Sequence, residues 1–129
     1  MSVNKSINIL IVDDYTTMLR IIKNLLKQLG FNNVDEATDG SMALEKVKGK
    51  QYGLIISDWN MEPMTGIEFL RQVRAADAPY KNTPFIMITA ESKTENVIAA
   101  KQAGVNNYIV KPFNAETLKT KMSSVLGEF

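Results

Sequence analysis

The chain has no histidine and no cysteine among its 129 residues, and those two absences exclude a good deal of chemistry. Without cysteine there is no disulfide, no thiolate metal site and no thiol nucleophile. Without histidine there is no serine–histidine catalysis, no histidine-ligated zinc and no phosphohistidine carriage. An excess of one charge sign is missing too. The 15 basic and 14 acidic residues are scattered along the chain and leave a net charge of +1, so neither nucleic acid nor an anionic membrane is an expected partner. A long apolar run is also absent near the start. Residues 9–12 are apolar but stop at two acids, too short for a signal-peptide core or a membrane span. The cytoplasm is the expected compartment. A length of 129 residues suits one domain with one core, expected to act as a monomer. Whatever chemistry it performs must run on carboxylates, hydroxyls and lysine.

What is present is an alternation of short apolar runs with amphipathic stretches. Residues 54–58, LIISD, lack polar alternation and read as a central strand covered on both faces. Residues 7–12 read as a first strand, 34–37 as a weak second, 85–88 as a fourth and 107–110 as a fifth. Between them, 16–29 is a long amphipathic helix with Met18, Ile22, Leu25 and Leu29 inward and Gly30 as its C-terminal cap. A second helix follows Asp39-Gly40 with Ser41 as cap and Ala43, Leu44 and Val47 inward. Residues 67–74 form a third with Ile67, Leu70 and Val73 inward, and 93–103 a fourth with a thin apolar face. The last is capped by Asn114 and lined by Leu118, Met122, Val125 and Leu126. Five strand–helix units with short links predict an α/β fold, a single doubly wound (βα)5 parallel sheet with right-handed crossovers.

In such sheets the ligand crevice lies outside the carboxyl ends of the strands. Asp13 and Asp14, Asp58, Thr89 and Lys111 each fall at one of those ends. Taken singly each has an ordinary reading: Asp14 as a helix cap, Asp58 as a turn residue, Lys111 as a solvated charge, Thr89 as a strand residue. Together they form a site. Three carboxylates offset by one ammonium leave a charge of −2, which one Mg²⁺ neutralises; oxygen-only donors argue against zinc. A carboxylate beside Mg²⁺ is a competent nucleophile toward phosphorus, and Asp58 is the best placed. Asp13 and Asp14 would then hold the metal, Lys111 would pair with a phosphoryl oxygen and Thr89 would donate to another.

These motifs carry a family resemblance. IVDD at 11–14, SDWNM at 57–61, TAE at 89–91 and VKPF at 110–113 match, in order and spacing, the response-regulator receiver domains. LGFNNV at 29–34 and ENVIAA at 95–100 narrow the likeness to the stand-alone chemotaxis regulators. The resemblance covers residues 1–129 as one receiver domain and implies the flavodoxin-like strand order 2-1-3-4-5. It makes Asp58 the phospho-acceptor, with Asp13, Asp14, Asp58 and the Asn60 main-chain carbonyl around Mg²⁺, and Thr89 and Tyr108 as the switch pair. It also implies a cis peptide at Lys111-Pro112. Asn60 and Glu91 would set water access and so the lifetime of the phosphoryl group, while Trp59, the single tryptophan, would report on the metal site. The function it implies is a two-component signalling switch that takes its phosphoryl group from a histidine kinase and catalyses only its own phosphotransfer and dephosphorylation. The implied target is the flagellar motor switch, with a phosphatase as a further partner. A phosphate sink or a stand-alone receiver outside motility is the alternative.

The sequence departs from the family at Glu62-Pro63, where the proline comes one place late, at Thr65, where an acid is common, and at Tyr15 and Ser92. A dehalogenase-type phosphohydrolase would need an acid two places after the nucleophile, where Asn60 stands. A flavodoxin-like electron carrier would have its flavin phosphate repelled by Asp13 and Asp14. A receiver kept only as scaffold would not retain the five site residues together.

Overall fold

A computed structural model describes residues 4–62, 64–90 and 94–129, with the side chains of Thr94 and Glu95 left aside. Five strands, β1 (Ile9–Val12), β2 (Val34–Ala37), β3 (Leu54–Asp58), β4 (Phe85–Thr89) and β5 (Asn107–Val110), alternate with α1 (Thr16–Gln28), α2 (Gly40–Gly49), α3 (Gly66–Ala75), α4 (Thr94–Ala103) and α5 (Ala115–Leu126). All pairings are parallel and the order is β2-β1-β3-β4-β5, as the sequence predicts. A 3₁₀ turn, Pro79–Asn82, lies in the connection between α3 and β4.

Side-chain alternation along the strands divides the core in two. Ile9, Ile11, Leu54, Ile56, Ile86, Ile88 and Ile109 face α1 and α5, which contribute Leu19, Ile22, Leu26, Leu118 and Met122. Leu10, Val12, Ile55, Phe85 and Met87 face the other way, toward Ala43 and Val47 of α2 and Phe69, Leu70 and Val73 of α3. The strands are apolar throughout because both faces are covered.

Local details differ from the sequence reading. β1 begins at Ile9, after a turn that leaves Ile7 only half-buried. In α1 the fully buried stripe is Leu19, Ile22 and Leu26; Met18, Leu25 and Leu29 pack beside it at the edge of the same core. Asp14 caps nothing: the N-cap is Tyr15, without a side-chain hydrogen bond. The cap of α2 is Asp39, whose carboxylate accepts from Met42 N at 2.8 Å, not Ser41. Phe69 is buried in α3 in addition to Leu70 and Val73, while Ile67 is half-buried. Thr65 caps α3 by accepting from Glu68 N at 3.2 Å, which gives that departure from the family a local role. Asn114 caps α5 as expected, accepting from Thr117 N at 2.9 Å. Gly30 takes a positive φ of 98° after α1, where only glycine is comfortable.

At the amino ends of β4 and β5, Arg74 laces three segments together. Its Nε donates to Gly104 O at 3.0 Å, one Nη to both Lys81 O and Thr83 O at 2.8 Å, and the other Nη to Asn106 Oδ1 at 2.9 Å. Asn106 Oδ1 also accepts from Phe85 N at 2.8 Å. No helix among the described residues is long and apolar enough to cross a membrane.

Candidate functional site

The register of the sheet determines which side chains meet above it. Val12 pairs with Ser57, Asp58 with Ile88 and Thr89 with Val110, so Asp13 comes level with Asp58 and Lys111 follows the Thr89–Val110 pair directly. Carboxylate oxygens of Asp13, Asp14 and Asp58 lie within 4.8 Å of one another. Lys111 Nζ, cantilevered from the end of β5, stands 3.0 Å from Asp58 Oδ1 and 3.7 Å from Asp13 Oδ2. The Lys111–Pro112 peptide is cis, as the resemblance implies. The four charged groups predicted from sequence are therefore together.

Burial makes this cluster unusual. Asp13 is 1 % exposed and Asp58 5 %, whereas Asp14 is exposed. Burial pushes the Asp13 carboxyl up to about 6; the Tyr15 amide bond opposes the rise and the neighbouring Asp58 adds to it. Burial raises Asp58 as well, with the hydrogen bond from Lys111 opposing. Asp13 Oδ1 accepts from Tyr15 N at 2.9 Å, which fixes the carboxylate, yet its Oδ2 is buried without a hydrogen-bond partner. A buried carboxylate oxygen left in that state is costly. Aimed into a cluster of hard oxygen donors, it fits a divalent cation such as Mg²⁺. Asn60 is exposed at the start of the next loop, within the chain segment that rims the cluster.

The backbone beneath Asp58 is tightly built. A Cβ on Gly66 would run into the Asp58 carbonyl oxygen, so α3 can start against β3 only with glycine there. Gly66 N closes the loop by donating to Trp59 O at 2.9 Å, and Ser57 Oγ donates to Asp58 O at 3.0 Å. Sequence reading missed this role of Gly66. Its position before an amphipathic stretch reads as a loop end, and only the tertiary approach reveals the constraint.

Strand alternation also separates Asp13 and Asp58 from Thr89 and Tyr108, the pair that the resemblance makes the switch. Asp58 continues the parity of Leu54 and Ile56, toward the α1 and α5 side, whereas Thr89 continues that of Phe85 and Met87. Thr89 is buried at the end of β4. It lines a cleft of about 10 Å³, room for about one water molecule, shared with Trp59, Met87, Asn96, Val97, Ala100 and Tyr108. Trp59, whose backbone directly follows Asp58, is half-buried and lines the same cleft as Thr89 and Tyr108. Tyr108 is half-buried with the Lys121 ammonium 5.3 Å from its ring centre. Glu91, Ser92 and Pro63 lie outside the described residues.

The model for the response regulator receiver domain matches residues 9–123. The chain is 54% identical over 122 residues to chemotaxis protein CheY-3 of Vibrio cholerae, covering 95% of this chain and 93% of that one. The receiver domain of a Pseudomonas aeruginosa sensor histidine kinase, a structure described with a magnesium ion coordinated in the active-site cleft, superposes with a TM-score of 0.85 at 27% identity, covering 95% of this chain and 99% of that one. The CheX–CheY–BeF₃–Mg²⁺ complex from Borrelia burgdorferi contains a chain with a TM-score of 0.85 at 31% identity, covering 92% of this chain and 87% of that one.

Proposed function

The chain belongs to the response regulator receiver domain family, and from that membership we propose that it is a phosphorylation-activated chemotaxis switch with Asp58 as its acceptor. The observation that carries this reading is the pairing of a buried carboxylate, Asp58, with Lys111 Nζ at 3.0 Å beside two further acids. An ammonium at that distance opposes the effect of burial on the Asp58 carboxyl and stands ready for a second set of oxygens. In transfer from a histidine kinase, an Asp58 oxygen forms the new bond to phosphorus as the phosphorus–nitrogen bond of the donor breaks, and the electron pair leaves with the imidazole. Lys111 pairs with one phosphoryl oxygen and the Thr89 hydroxyl donates to another. Asp13, Asp14, Asp58 and the Asn60 main-chain carbonyl would hold Mg²⁺. When bound, the ion supplies charge neutralisation at the transferring oxygens.

The switch follows from the separation of the two parities. A Thr89 side chain that turns toward the phosphoryl group withdraws from the cleft it shares with Tyr108, and the phenol ring moves into the room left. That motion reshapes the outer surface of α4, β5 and α5, where Ile98 is 48 % exposed. A target bound there, in this reading the flagellar motor switch, would then select the phosphorylated state. The protein works as a cytoplasmic monomer, takes its phosphoryl group from a chemotaxis-type histidine kinase, and has a phosphatase of the CheX kind as a further partner.

The test is incorporation of radiolabel from acetyl phosphate or a phosphorylated kinase, with and without Mg²⁺. Labelling that is base-labile and lost in Asp58→Asn is expected. Wild-type labelling of the Asp58→Asn variant would overturn the assignment. Retrieval of partners from the native cell, with and without beryllofluoride, then separates a motor target from a phosphate sink.

A further inference from the structure

The segment after Asp58 has little slack. Trp59 N donates to Ile88 O and Gly66 N to Trp59 O, both at 2.9 Å. At its far end, Gly66 is pressed on the Asp58 carbonyl and Thr65 is committed to the cap of α3. Between these ends two methionines face inward: Met61 is buried, and Met64 packs half-buried against the core shared with α2 and α3. Asn60 and Glu62 face solvent.

Met64 rests on a bare Cα. Gly40, the buried first residue of α2, has no positive φ, so nothing in its backbone requires glycine. The requirement is room: a Cβ there would meet Met64 Cγ at 2.7 Å, Cβ at 2.9 Å and Sδ at 2.9 Å. Rotating the side chain would free Cγ and Sδ but not Cβ, whose place the backbone fixes. Residue 64 itself would have to withdraw. The cap and the Gly66 contact resist movement toward α3.

We propose that Gly40 is a positioning residue for the phosphoryl-acceptor site: its missing Cβ is the seat of Met64, and through that seat α2 sets where the Asn60 carbonyl stands. The proposal rests on the receiver reading above. It concerns the metal-holding geometry, because Mg²⁺ demands near-octahedral ligands at short, narrowly defined distances. Changes in the groups that orient metal ligands commonly weaken binding by roughly 10–100-fold.

The experiment is a calorimetric Mg²⁺ titration of wild type, Gly40→Ala, Met64→Gly and the double variant, each checked for folding by circular dichroism. Alanine is the better helix former, so α2 itself gains from the change and a loss must come from the contact. Gly40→Ala is expected to bind roughly tenfold more weakly. Replacing Met64 by glycine removes every atom that the new Cβ meets, the Cβ of residue 64 included, so the double variant is expected to recover most of that loss. Gly40→Ala with wild-type affinity, or a double variant as weak as Gly40→Ala, overturns the proposal. Should Gly40→Ala fail to fold, recovery of fold and binding in the double variant supports it and failure of both refutes it. Wild-type protein that neither binds Mg²⁺ nor labels at Asp58 would instead refute the receiver reading.

Discussion

Asp13→Asn should stabilise the metal-free protein, by an amount that grows with pH. Asp13 is 1 % exposed, and its carboxyl stands at about 6 in the folded chain against an ordinary 3.8. A raised carboxyl binds its proton more tightly folded than unfolded. Its contribution to stability is therefore fully present below pH 3.8 and is lost as pH rises through about 6. At about 1.4 kcal/mol per pH unit, the loss comes to about 3 kcal/mol. Asparagine keeps the acceptor for Tyr15 N and replaces Oδ2, which has the Lys111 ammonium 3.7 Å away but no hydrogen bond, with a donor beside the remaining carboxylates. Denaturant melts in a chelating buffer should show the variant close to wild type near pH 4 and about 2–3 kcal/mol more stable near pH 7.5. Magnesium should narrow the gap. At a hundred times its dissociation constant a ligand adds about 2.7 kcal/mol, and wild type should receive far more of this than a variant short of one acid. A gap that is constant from pH 4 to 7.5, or that favours wild type in chelator at neutral pH, would refute the reasoning.

Trp59 directly follows Asp58 and shares a cleft with Thr89 and Tyr108, so its emission should fall on adding Mg²⁺ and fall further with beryllofluoride; in Thr89→Ala the second step should shrink while the first remains. Asn60 lies two residues after the acceptor and Glu91 two after Thr89. Asn60→Lys and Glu91→Arg should each slow the decay of labelled protein at fixed Mg²⁺ after donor removal, and equal or faster decay in both would show that access at these positions does not set the lifetime. Arg74→Lys replaces a fork that reaches four acceptors with a single ammonium. Denaturant melts should show a loss of at least about 2 kcal/mol, and a loss below about 0.5 kcal/mol would mean that the lacing is incidental.

Where the sequence was legible, one period settled the matter. Runs such as LIISD and FIMIT are apolar without alternation because each strand is covered on both faces, and their terminal residues are polar because the cover ends there. The acid cluster was legible for the same reason. Helix faces were read within one residue: Ile22 is central to both the predicted and the observed stripe of α1, but a helix lying on a sheet buries a wider band than one row, so Leu19 and Leu26 also go in. Caps were less legible. Asp39 and Ser41 are both good candidates by type, and the choice depends on which of them leaves the helix for extended backbone, as Asp39 does with φ of −158°. Least visible were Gly40 and Gly66. Each owes its identity to an atom from a distant part of the chain, Met64 in one case and the Asp58 carbonyl in the other, and no local pattern records such an approach.

The four acceptors of Arg74 are three carbonyls and an amide oxygen; no carboxylate is among them. Ionic strength acts mainly between full charges exposed to solvent, and a guanidinium held by neutral dipoles in a half-buried place offers little to screen. The acids and Lys111 sit at the opposite ends of the strands. Added salt or divalent ions should therefore act on one pole of the sheet and leave the other unmoved. Amide exchange would show the difference directly: protection near Asp58 should vary with the buffer, while protection around Gly104 and Asn106 should stay constant.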